Sequence, residues 1–234
     1  MAGALIFSLL LVSTLFPQNV AIPSSSRSKQ AVERCTPILL EQFKNNNLEF
    51  GNKVFIRIFK QSDELELWIM EDSTFRLFKT YSICDFSGGI GPKKRQGDGK
   101  SPEGFYFVKP SQLNPWSRFH LSFNLGYPNA YDRSHGYTGS ALMVHGDCVS
   151  IGCYAITDVN IEEIWTIINK AFENGQPFFR IHIFPFRMTP ENIDRFRGNK
   201  NFDFWINLQE GFSAFEQDKI PPNVEVLNKR YIFN

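Results

Sequence analysis

Val54-Phe55-Ile56-Arg57-Ile58-Phe59 is β-branched and aromatic almost throughout, and it reads as a strand. Gln61-Ser62-Asp63 then turns the chain, and Leu65-Glu66-Leu67-Trp68-Ile69 alternates apolar and polar residues, as does the stretch 75–84. The simple reading is three antiparallel strands in a meander. Strand character returns at 105–108, 119–123, 141–144 and 178–184. Helical spacing appears in four other places. Thr36-Pro37 opens a short helix with an apolar face of Ile38, Leu39, Leu40 and Phe43. Thr157 caps a second, in which Ile161, Ile164, Trp165, Ile168 and Phe172 recur and Gly175 follows the end. Thr189-Pro190-Glu191 starts a third, and 202–215 is read as a further helix that Pro221-Pro222 terminates. The segment 224–233 reads as a last edge strand. Residues 85–104 and 126–140 are loops rich in Gly and Pro. The whole is one α+β domain dominated by antiparallel sheet, with no internal repeat. Many of the 24 phenylalanines alternate with polar residues, as the core of a β-rich fold requires.

The chain has 234 residues, enough for one sizeable core with short appendages, and its net charge of +1 gives no reason to expect a nucleic-acid partner. Residues 4–16 form an almost unbroken apolar run. It is shorter than the roughly 20 residues that span a bilayer and suits the core of a secretory signal peptide. The expected organisation is therefore a signal peptide, or an uncleaved anchor, over 1–21. A flexible segment with a mobile Ser-rich stretch at 24–28 and a short helix follows over 22–50, and then the folded domain over 51–234. Either reading of the first segment puts the body of the protein outside the cytoplasm.

The chemistry concentrates in Val144-His145-Gly146-Asp147-Cys148-Val149-Ser150-Ile151-Gly152-Cys153-Tyr154. His145 ends a predicted strand and Cys153 follows eight residues later, with Gly146 and Gly152 beside them. Fully extended, that connection would reach almost ~30 Å, but its glycines let the loop fold back so that thiol and imidazole meet. An imidazole next to a thiol favours the reactive thiolate, and N–H groups beside Gly152 can stabilise an oxyanion. His145, Cys148 and Cys153 lack a fourth ligand at the usual zinc spacing, so neither a metal nor a cofactor is expected.

Ser150-Ile151-Gly152-Cys153, preceded by His145-Gly146, resembles the active-site motif of the L,D-transpeptidase catalytic domain (YkuD) family. Ser101-Pro102-Glu103-Gly104-Phe105-Tyr106, behind Gly97-Asp98, is similar to the substrate-side loop and strand of that family. Asn129-Ala130-Tyr131-Asp132-Arg133 and Phe184-Pro185-Phe186-Arg187-Met188-Thr189 resemble its YafK-type branch. The resemblance runs from about residue 53 to 231. It implies a β-sandwich-like catalytic domain acting on peptidoglycan stem peptides. Cys153 would be the nucleophile that forms a thioester and His145 the base. Ser150, Gly152 and Tyr154 would shape the loop and oxyanion site, and Gly146, Asp98, Ser101 and Arg187 are weaker candidates for substrate contacts. It also implies a periplasmic enzyme of cell-wall biogenesis or remodelling. Many members have a longer insert between the His and the Cys, and a second His where this chain has Ile151.

Three functions remain open, and a generic papain-like protease is a weak fourth because the chain lacks that family's sequence around its Cys. One is acyl transfer to an amine, and the second is hydrolysis at the same site, including release of a lipoprotein tethered to diaminopimelate. The third is a peptidoglycan-binding domain without catalysis, which the intact Cys153 and His145 disfavour. Arg187 is read equally as a carboxylate contact or as half of a structural ion pair. Lys93-Lys94-Arg95 is either a solvated loop or an attractor of stem carboxylates, and His135 is the other histidine closest to a cleft-lining role. A nucleophile must stay a free thiol. At most one disulfide can therefore form among Cys35, Cys84 and Cys148, with the pairing open.

Overall fold

A computed structural model describes residues 21–234; the expected signal segment lies outside the described residues, apart from Ala21. In chain order the elements are α1 (Ser26–Asn45), β1 (Val54–Phe59), β2 (Glu64–Glu71), β3 (Thr74–Ser82), β4 (Asp85–Phe86) and β5 (Gly104–Val108). Next come β6 (Leu113–Asn114), β7 (Ser122–Asn124), α2 (Ala130–Ser134), β8 (Met143–His145) and β9 (Tyr154–Ala155). The chain continues with α3 (Asp158–Glu173), β10 (Phe179–Phe184), α4 (Pro190–Asp194), α5 (Phe202–Asp218), β11 (Val224–Leu227) and β12 (Arg230–Phe233). A first five-stranded sheet has the order β3-β2-β1-β10-β5, and a second has the order β4-β9-β8-β7-β6. The pairs β1–β10 and β8–β9 are parallel and the other pairs within these sheets are antiparallel. The fold is α+β, as the sequence suggests.

All six residues of β1 are buried, because both faces of its sheet are covered. Val54, Ile56 and Ile58 face a core shared with the second sheet, α1 and α3, whereas Phe55 and Phe59 face α5 and its Phe212 and Phe215. That double coverage is why β1 reads as an apolar run; the alternating Glu66 of β2 is buried too, paired with Arg57 and Arg187. Arg57, also on the α5 side, is held by Glu66 at 2.8 Å and Glu216 at 2.6 Å.

Three expectations need correction. The N-terminal helix starts at Ser26, so Thr36-Pro37 lies inside α1 and not at its start. Ser25 caps it, with a reciprocal bond between Ser25 and Ser28, and the Ser25 hydroxyl donates to the Pro115 carbonyl at 2.9 Å. The Ser-rich stretch is therefore cap and first turn, and not a mobile segment. The buried face is Ala31, Cys35, Leu39 and Phe43, while Ile38 and Leu40 are exposed. The segment 224–233 is a hairpin, β11–β12, turned at Asn228-Lys229, both with positive φ, as a tight hairpin turn demands. The 126–140 loop contains α2, where Asn129 and Asp132 form a capping box. Among the described residues no helix is long and apolar enough to cross a membrane.

Candidate active site

The parallel pair β8–β9 builds the site. Its register matches Val144 with Tyr154 and His145 with Ala155. Val144 and Tyr154 both point into the core. Alternation therefore turns His145 and Cys153, each one residue away, to the opposite face. Extending the register by one residue sets Cys153 beside Met143, whose backbone N–H favours the charged form of the sulfur. His145 is then the diagonal neighbour of Cys153 on the same face, two register positions along, while the Cys153 thiol itself donates to the Ala141 carbonyl at 3.8 Å.

His145 is only 2% exposed and stacks on Phe119, with ring centroids 4.7 Å apart. Its Nδ1 lies 2.6 Å from the Gly146 carbonyl. A carbonyl only accepts, so Nδ1 is the nitrogen that donates here and Nε2 is left outside that contact. A side chain at Gly146 would strike Asp158 Oδ1 at 2.5 Å and His120 Cβ at 2.9 Å, so the chain can pass here only as glycine.

The backbone of Cys153 is clamped. The hydroxyls of Ser101 and Ser150 both donate to its carbonyl oxygen, at 2.9 and 2.8 Å. The Tyr154 hydroxyl donates to the Pro102 carbonyl at 2.6 Å, which fixes the adjoining loop. Gly152 has φ +112°, a conformation glycine tolerates best. Among the described residues, neither the Gly152 nor the Cys153 N–H donates to another protein group. Both are thus available to an oxyanion. Burial pushes the Cys153 thiol above its ordinary value, and the Met143 N–H and the nearby Lys93 charge pull it partly back. The raised value favours the protonated thiol at neutral pH.

The weaker candidates divide. Ser101 is fully buried and serves Cys153 through its hydroxyl. Asp98 organises its own loop. It accepts from Lys93 Nζ at 2.7 Å and from the N–H groups of Lys94, Arg95 and Lys100. Against the cost of burial, these hold its carboxyl at about 2. Lys93 is consequently buried and paired, unlike a solvated loop lysine. Arg187 is engaged by Glu64 at 2.7 Å and Glu66 at 2.8 Å in the first sheet, so the ion-pair reading is the one that describes it. His135 Nδ1 contacts the Tyr131 carbonyl at 3.0 Å at the end of α2, and His120 Nε2 lies 2.7 Å from Glu162. Cys84 and Cys148 form a disulfide, while Cys35 and Cys153 are free. No group of His, Cys, Asp and Glu suited to a metal occurs among the described residues.

Sequence reasoning missed Asp85, whose carboxylate accepts the Ser150 N–H at 2.6 Å, and also the N–H of Met143. Neither carries a sequence signal. Phe119 lies in the bend before β7, which starts at Ser122 and not at 119 as the sequence suggests, so no periodic signal pointed to it.

The sequence profile of the L,D-transpeptidase catalytic domain (YkuD) matches residues 58–183. A protein of Escherichia coli K12, named provisionally L,D-transpeptidase YafK, is 50% identical over 182 residues, which cover 78% of this chain and 74% of that protein. Among solved structures, the helical cell shape determining protein Pgp2 from Campylobacter jejuni superposes with a TM-score of 0.46 at 20% identity, over 74% of this chain and 72% of that one. Bd1075 of Bdellovibrio bacteriovorus gives 0.43 at 17% identity, over 76% and 78%. The profile spans more than half of the chain and takes in both His145 and Cys153, and on these grounds the chain belongs to the L,D-transpeptidase catalytic domain family.

Proposed function

We propose that this protein is a cysteine acyl-transfer enzyme that works on peptidoglycan stem peptides through a thioester on Cys153. The observation that carries the reading is the β8–β9 register, which sets the free Nε2 side of His145 and the Cys153 thiol on one face of adjacent strands. His145 takes the thiol proton as the sulfur attacks the carbonyl carbon between an L-centre and a D-amino acid. The N–H groups of Gly152 and Cys153 receive the oxyanion. Collapse expels the amine, which takes the proton from His145, and leaves the stem acyl group on sulfur. An amine or a water, deprotonated by His145, then releases it. The work is set outside the cytoplasm. The Cys84–Cys148 bridge and the apolar run at 4–16 both favour export to an oxidising compartment.

Hydrolysis is the second reading. The His145–Cys153 loop is short, and Ile151 at its tip is 93% exposed, so little protein walls off the thioester from water. The substrate that suits this reading is a stem diaminopimelate carrying a tethered lipoprotein.

The test is mass spectrometry of products from disaccharide tetrapeptide, lipoprotein-linked sacculi and a free D-amino acid in separate reactions, with wild-type protein and Cys153→Ala. Turnover that survives in a folded Cys153→Ala variant overturns the proposal. Exchange of the D-amino acid marks transfer to amines, and release of lipoprotein without exchange marks hydrolysis.

A further inference from the structure

The loop from 147 to 151 has an unusual problem. Asp147, Cys148, Val149 and Ile151 are all exposed and Ser150 is half-buried, so no apolar side chain anchors the loop to the core. Asp147 has φ +64° and Gly152 φ +112°, so the chain reverses twice without a packed side chain to hold either bend. Yet this loop delivers Cys153, and its carbonyl clamp includes the Ser150 hydroxyl from within the loop.

What holds it is the short segment 84–86. The disulfide ties Cys148 to Cys84. The Asp85 carboxylate accepts the Ser150 N–H at 2.6 Å. The Cys84 N–H donates to the Ala155 carbonyl at 2.9 Å, and β4 pairs with β9 as Asp85–Ala155 and Phe86–Tyr154. Segment 84–86 thus grips the loop at two points and the strand just beyond Cys153 at two more. The opposite end has only the Asp147 N–H donating to Asp158 Oδ1 at 2.8 Å.

We infer that the Cys84–Cys148 bridge, together with Asp85, is a positioning brace for the nucleophile: it aims Cys153 at His145 and keeps the thiol recessed. Neither residue touches the reacting atoms. The inference deepens the acyl-transfer reading and rests on it only for its kinetic consequence. Two consequences follow from losing the brace, and they run in opposite directions. A loosened loop exposes Cys153, so its titration midpoint moves down towards that of an ordinary thiol and a small alkylating reagent reacts faster near neutral pH. The same loosening spoils the alignment with His145, so turnover slows. Loss of stability alone lowers turnover only by the unfolded fraction and leaves the folded protein's thiol titration where it was.

The experiment uses the mature chain with Cys35→Ala, which leaves Cys153 as the one free thiol. Into it go Cys84→Ser with Cys148→Ser, and separately Asp85→Asn, which keeps the bridge. Iodoacetamide alkylation is followed from pH 6 to 10 by intact mass, and stem-peptide turnover is measured at a temperature where circular dichroism shows each variant folded. The expected result for the double serine variant is a lower alkylation midpoint and a kcat at least about tenfold lower with KM little changed. Asp85→Asn moves both readouts the same way by less. Alkylation profiles that superimpose on the parent's overturn the inference. So does a kcat loss that matches the unfolded fraction. Should the double variant fail to fold, the same two readouts on Asp85→Asn decide. If the parent turns over no stem peptide, the acyl-transfer reading fails and the alkylation profiles alone judge the brace.

Discussion

His145 carries the most specific chemical claim at the level of single residues. Its Nδ1 is committed to the Gly146 carbonyl and its ring is wedged on Phe119, so the ring cannot turn without breaking both contacts. His145→Gln keeps a donor for that carbonyl and removes the basic nitrogen. We expect kcat to fall by at least about 100-fold with KM nearly unchanged, because burial favours the protonated thiol and the acyl-transfer reading makes His145 its base. Steady-state kinetics on stem peptide checks this, and a change confined to KM would make His145 a substrate contact. The candidate pair was legible in the sequence because both residues lie within nine positions of one another, in a motif with glycines beside each. The supporting groups were not. Asp85 lies 65 positions from Ser150, and Met143 acts through a backbone N–H that any residue would supply. Arg187 shows the converse. Its type suits a carboxylate ligand, and it finds two carboxylates in Glu64 and Glu66 within the protein itself.

Among the elements, α1 diverges most from its sequence pattern. Proline usually marks a first helical turn, and Thr36-Pro37 imitates that signal. In α1 Pro37 gives up the bond to the Glu33 carbonyl and its ring crowds that carbonyl. The face of Ala31, Cys35, Leu39 and Phe43 against α3 is enough to carry the helix through it. Small and sulfur-bearing residues on that face hid the period. By contrast β1, α3 and α5 have long apolar side chains at regular spacing and were readable, while two-residue strands such as β4 and β9 are too short to show any period. Because Ser25 both caps α1 and donates to the Pro115 carbonyl, Ser25→Ala should lower stability by about 1 kcal/mol. Urea denaturation followed by circular dichroism measures it. An unchanged midpoint would mean that the cap bonds are worth no more than those to water.

Across the whole molecule, two buried polar features set stability, and each gives a different signature. Lys60 and Glu103 pair at 3.2 Å, fully buried, with Lys60 also donating to the Gly91 and Ser101 carbonyls and Glu103 accepting from Trp205 Nε1 at 2.9 Å. This pair joins β1 to the loop that carries Ser101 and to α5. Lys60→Met strands a buried carboxylate and should cost about 3–5 kcal/mol by urea denaturation, with part recovered when Glu103→Gln is added. No recovery in the double variant would place the loss in the Lys60 stem's packing. The second feature is His182 on β10. It is 1% exposed, ringed edge-on by Phe55, Phe105 and Phe184, and neither ring nitrogen has a protein partner. Burial, reinforced by the charges of Arg180 and Arg57, holds it well below the ordinary histidine value, so the folded protein keeps it neutral. Above the unfolded value of about 6.5 both states are neutral and His182 adds no pH dependence. As pH falls below that value the unfolded chain binds a proton that the folded one refuses, and stability drops. His182→Leu removes the proton site and two unsatisfied nitrogens at nearly constant volume, so at pH 7 it should be neutral or stabilising. Its advantage over wild type should then grow by about 2 kcal/mol between pH 7 and pH 5. Urea melts of both proteins at half-unit pH steps measure the gap directly, and a gap that stays constant would mean that His182 binds its proton equally well in the folded state.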